Sequence, residues 1–156
     1  MSWDVVLLRF CRDAPAAFAI GDARRIVLAA ADAREVEPGV AEITTDGIAD
    51  IHFGDESPEI MFFVYAMSRA VMRLIYELAR ELQMVVFFPS SDGWRAAVVV
   101  EAAAETLPGR SWSGWKDFDD DFYPPAAALC RTAADLEAFL AGPYDEWDEW
   151  AHRPQK

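Results

Sequence analysis

A chain of 156 residues with 53% hydrophobic and 13% aromatic residues is long enough for one packed domain and too apolar for a disordered one. Its 27 acids against 14 Lys and Arg leave a formal charge of −13, which argues against direct binding of nucleic acid or of an anionic membrane surface. Basic proteins, cations and the active sites of nucleic-acid enzymes remain as partners.

The two cysteines, Cys11 and Cys130, are too few and too far apart for a disulfide framework or a metal knuckle, and are expected as buried thiols in a reducing compartment. The opening MSWDVVLLRF carries Asp4 ahead of its apolar run and no basic leader, so a secretory signal is not expected. No apolar run reaches the roughly 20 residues of a membrane span. A cytoplasmic location is expected.

Trp3 to Phe10, rich in Val, Leu and aromatics, predicts a buried first strand. From Asp22 to Arg34, Ile26, Val27, Ala30 and Ala31 recur at helical spacing, with Asp22 as cap and Pro38-Gly39 closing the segment. Ala41 to Thr45, the Asp46-Gly47 turn and Ile48 to Phe53 predict a hairpin, because glycine at the second turn position tolerates positive φ. Glu59 to Ala66, EIMFFVYA, predicts a central strand buried on both faces.

Ser68 is placed to cap a helix from Arg69 to Gln83, with Val71, Leu74, Ile75, Leu78 and Leu82 along one side and an Arg73/Glu77 pair on the wet side. Met84 to Phe88 predicts the next strand, and Pro89 to Gly93 a loop. If the strands flanking that helix pair in parallel, their connection is right-handed. Trp94 to Val100 is assigned to a strand and Glu101 to Leu107 to a short helix. Arg110 to Pro125 reads as an aromatic loop, and Thr132 with Asp135 as the capping pair of a last helix through Ala141. The expected fold is a single α+β domain over 1–156, with a mixed, mostly antiparallel sheet and a strand-helix-strand crossover. Residues 110–156 are expected as an acidic, aromatic-rich C-terminal helical extension packed on it.

No residue pattern identifies a reaction. His52 falls on the solvent side of its strand by alternation with Ile51 and Phe53, and His152 lies near the end. Pro89-Ser90-Ser91-Asp92-Gly93 lacks the glycines and lysine of a phosphate loop, and Asp119-Asp120-Asp121 lacks the spacing and glycine of a calcium loop. No catalytic residue, metal or cofactor is assigned, and the protein is expected not to be an enzyme.

The distinctive feature is the last forty residues. Asp117, Asp119, Asp120, Asp121, Asp135, Glu137, Asp145, Glu146, Asp148 and Glu149 face only Arg131, Arg153 and Lys156, which gives −7 of the total −13. Trp147 and Trp150 lie among them, with Trp112 and Trp115 just before. Aromatics anchor interfaces and surrounding carboxylates steer basic partners. The expected partner contacts are Asp117, Asp119, Asp120, Asp121, Tyr144, Asp145, Glu146, Trp147 and Trp150; alternatively these aromatics dock the C-terminal segment on its own core.

The opening Met1-Ser2-Trp3-Asp4-Val5, the Gly54 acidic turn before EIMFFVYA, and the helix and strand that follow resemble a group of small uncharacterised bacterial cytoplasmic proteins. Several such groups are similar to immunity proteins of polymorphic or contact-delivered toxins. The resemblance covers about residues 1–90. It implies an inhibitor that binds its cognate toxin and blocks the toxin's active site, without catalytic residues of its own; that the toxin domain is basic is expected from the acid-rich surface. The acidic C-terminal region departs from it. Two other functions stay open: a small metal-assisted hydrolase or transferase with a site formed only in three dimensions, and an oligomeric interaction module, for instance a homodimer.

Overall fold

The computed structural model describes residues 3–11, 14–30, 32–54, 59–90, 93–100 and 126–141. The alternating or continuous apolar runs of these segments gather into one nine-stranded sheet, with three helices among the described residues. The α+β class expected from the sequence holds.

The apolar run at the start becomes β1 (Trp3–Cys11). Val5 and Leu7 face one side of the sheet and Val6 and Leu8 the other, and all four are buried. A strand apolar on both faces belongs in the interior of a sheet. Accordingly β1 lies between β6 (Glu59–Ala66) and β7 (Met84–Ser90), antiparallel to both. The short β2 (Ala14–Ala16) turns back along the end of β1.

Helix α1 (Ile20–Ala29) is shorter than its periodicity predicts: Ala19, not Asp22, is its cap, and Asp22 sits in the first turn. Residues 34–37, with their charged Arg-Glu-Val-Glu run, form edge strand β3 (Arg34–Glu37). Pro38-Gly39, expected as a helix stop, is instead the turn into β4 (Val40–Ile43), and Gly39 has φ +79. The hairpin from β4 to β5 (Ile48–His52) is as predicted, with Ala41 opposite Ile51, and Gly47 has φ +90. β6 completes a four-stranded meander. It is central, but buried on one face only: Ile60, Phe62 and Val64 are in the core while Tyr65 is 47% exposed.

Ser68 caps α2 (Arg69–Glu81), its Oγ accepting from the Val71 N–H at 3.1 Å. The predicted apolar stripe is buried, whereas Glu77 pairs with Arg80 and not with Arg73. β6 and β7 run parallel across this crossover but do not pair, because β1 fills the slot between them. β7 extends two residues beyond its predicted end and forms a tight hairpin with β8 (Gly93–Val98), Ser90 opposite Gly93.

The short helix expected at 101–107 lies outside the described residues. Within the expected C-terminal extension, β9 (Ala126–Leu129) adds a strand parallel to β8, and α3 (Ala133–Ala141) contributes Leu136 and Leu140 to the core. The capping pair is in place: the Asp135 N–H donates to Thr132 Oγ1 at 3.1 Å, and Asp135 accepts the Arg131 N–H at 3.2 Å. The strand order is β3-β4-β5-β6-β1-β7-β8-β9. All three helices pack on one face, over a core that includes Phe53, Phe62, Ile75 and Phe88. A smaller cluster, Val6, Leu8, Val85, Phe87, Ala96 and Val98, occupies the other. No described helix is long and apolar enough to cross a membrane.

Candidate functional site

A concavity of about 660 Å³ among the described residues is a groove between α1 and α2 above β4. Its floor is apolar: Ile26 and Ala29 from α1 and Ala30 at its C-cap, Ile43 from β4, and Ala70 and Leu74 from α2. Small residues, Ala29 and Ala30 on one side and Ala70 on the other, keep their side chains from filling the space. The rim is charged, with Arg25 and Arg73 against Asp32, Asp46, Glu77 and Glu81.

One wall is held by a chain of hydrogen bonds. Asp32 Oδ2 accepts the backbone N–H groups of Thr45 and Asp46, each at 3.1 Å. The Asp46 carbonyl accepts from Ser68 Oγ at 2.7 Å, so the same hydroxyl that caps α2 ties down the β4–β5 turn. A Cβ on Gly47 would lie 2.7 Å from Ser68 Oγ and 2.8 Å from Val71 Cγ2, so glycine is required by space as well as by φ. Glu77 and Glu81 are both engaged by Arg80. Arg25 and Arg73 make no ion pair among the described residues. The groove therefore offers two available guanidiniums and the Asp46 carboxylate around an apolar floor, an arrangement suited to an amphipathic segment.

A second recess of about 310 Å³ opens on the opposite face, lined by Pro38, Gly39, Val40, His52, Gly54, Glu59, Met61 and Phe63. His52 is exposed, as its alternation predicts, and its ring meets Phe63 edge-on with centroids 5.1 Å apart. Cys130 is a buried free thiol, as expected, pushed up to about 11 by burial and then by the negative charge of Asp135. It is thus protonated at neutral pH and a poor nucleophile. Ser68 Oγ is committed to backbone partners. Among the described residues no group of three or more His, Cys, Asp or Glu side chains is arranged to hold a metal ion.

The contacts expected from the sequence, Asp117, Asp119, Asp120, Asp121, Tyr144, Asp145, Glu146, Trp147 and Trp150, all lie outside the described residues. The α1/α2 groove was not among the expectations. It is assembled from three segments separated in sequence, and its apolar members read simply as core positions. The one legible hint was the Arg73/Glu77 pair, whose positions do line it. No family model, curated protein or solved structure matches the chain.

Proposed function

We propose that this protein is an immunity-type inhibitor, which binds a cognate basic toxin domain and blocks its active site. The observation that carries the reading is a charge of −13 on a chain whose groove joins an apolar floor to a rim of four carboxylates and two guanidiniums. A strong net negative charge raises the encounter rate with a basic partner, and a desolvated apolar anchor then supplies residence time. The groove takes an apolar side chain or a helical turn of the partner, while Asp117 and Asp119 to Asp121, together with Tyr144, Asp145, Glu146, Trp147 and Trp150, supply the remaining contacts.

The test is co-expression with the polypeptide encoded by the neighbouring reading frame, followed by co-purification and a titration of affinity against salt. A complex that weakens with salt, loses affinity on reversal of Asp119 to Asp121, and is blocked by Ala70→Trp in the groove supports the proposal. A neighbouring product that does not bind, or a complex indifferent to both salt and charge reversal, overturns it.

A further inference from the structure

In a chain with 27 acids and 14 Lys and Arg, an arginine without a carboxylate partner is the exception to explain. Arg24, Arg34, Arg69 and Arg80 each pair with a glutamate. Arg25 and Arg73 are exposed and pair with none among the described residues, and both line the α1/α2 groove. The acids around that groove are mostly engaged. Arg80 holds Glu77 and Glu81, and Asp32 accepts two backbone N–H groups. Asp46 makes its hydrogen bonds through its backbone, so one carboxylate stands against two guanidiniums as groups open to a ligand.

A guanidinium presents its N–H donors as a planar fork that matches a carboxylate, and it carries no acceptor. The buried Ile26, Ile43 and Leu74 in the floor call for hydrocarbon. The volume of about 660 Å³ falls within the roughly 300–1,000 Å³ of small-molecule sites. Along α2 the groove runs from Ala70 to Glu81, about 16 Å at the helical rise. The hydrogen bonds of Asp32 and Ser68 hold one wall in a fixed position, so that binding has little of the protein to order.

We infer that the groove is a site for a small amphipathic carboxylate, an unbranched acyl or comparable apolar tail that ends in one carboxylate. Arg25 and Arg73 take the carboxylate at the rim, and the tail lies over Ile26, Ile43 and Leu74 between the alanines. The inference goes beyond the toxin-inhibitor reading and does not rest on it, and its test needs no toxin.

Octanoate, decanoate and 1-octanol are titrated separately into the full chain, below micellar concentrations, and followed by calorimetry and by backbone amide shifts. Octanoate is expected to bind at least about tenfold tighter than 1-octanol, and decanoate several times tighter than octanoate. The shifts should centre on Ala29, Ala30, Ala70 and Leu74. Arg25→Gln combined with Arg73→Gln should remove the preference for the acid over the alcohol, and Ala70→Trp should block both. Both arginines are exposed and without an ion pair among the described residues, so the double glutamine variant should keep the wild-type denaturation midpoint. No binding of either acid, equal affinity for octanoate and 1-octanol, or a preference for the acid that survives the double variant overturns the inference. Shifts centred on Val6 and Phe87, on the second face of the sheet away from the helices, do the same. So does capture of a synthetic acidic amphipathic helix, or dimerisation relieved by Ala70→Trp, with both acids inert.

Discussion

Gly39 and Gly54 meet backbone to backbone: a Cβ built on either would overlap the Cα of the other. The contact joins the β3–β4 turn to the end of β5, where the Phe53 N–H donates to the Gly39 carbonyl at 2.8 Å. Either glycine replaced by alanine forces the two turns apart, and at Gly39 the positive φ adds strain. Gly54→Ala is expected to destabilise by about 1–3 kcal/mol, the usual range for overpacking. Chemical denaturation reads this directly, and an unchanged midpoint would mean that the turns separate freely.

Ser68→Ala removes both the α2 cap and the hydroxyl donor to Asp46. The hydroxyl is buried and makes two bonds, so a loss of about 2 kcal/mol is expected, at the high end for a helix cap. Ser68→Thr retains the hydroxyl and serves as the control. If the alanine variant unfolds at the wild-type denaturant concentration, the hydroxyl does not join helix to turn.

Asp32→Ala leaves the Thr45 and Asp46 amides to solvent and frees one wall of the groove. These bonds are exposed, so the expected cost is about 1 kcal/mol. The more telling readout is amide exchange at Thr45 and Asp46, which should quicken in the variant. Equal protection in both proteins would count against the clamp.

Phe87→Ala excavates the cluster on the second face, where the ring is fully buried. A loss of about 3–5 kcal/mol is expected. A loss below about 1 kcal/mol would mean that this face is loosely covered in solution.

Cys130 gives a pH dependence whose sign follows from its raised pKa. The fold favours the protonated thiol, so its contribution is complete below the ordinary value of 9.0 and is lost as pH rises through about 11. Between these values the wild type should lose stability faster than Cys130→Ala, because the unfolded thiol ionises first. Parallel stability curves for the two proteins would refute this. Alkylation of the native protein at neutral pH should also be slow and should speed on unfolding.

The elements with uniform local character were legible in the sequence. The apolar run of β1, the Asp46-Gly47 turn, the Ser68 cap and the Thr132/Asp135 pair all name structures that form. Elements set by their neighbours were not. Arg34 to Glu37 carries three charges and becomes a strand only because β4 offers an open edge; Pro38-Gly39 stops a helix and turns a hairpin with equal ease. The alternation in EIMFFVYA was hidden because its outward residues, Met61, Phe63 and Tyr65, are apolar too. The groove was invisible for another reason: it is an absence of side-chain volume between two helices, and alanines at 29, 30 and 70 carry no periodic signal of a cavity.

The position of β1 has a consequence for synthesis. Its two neighbours, β6 and β7, begin at residues 59 and 84, so the strand that organises the sheet leaves the ribosome long before either is available. At translation rates of about 5–20 residues per second, the apolar segment from Val5 to Leu8 waits several seconds unpaired. During that interval its backbone and apolar side chains have neither β6 nor β7 to pair with, which leaves the segment open to self-association until β7 has been made.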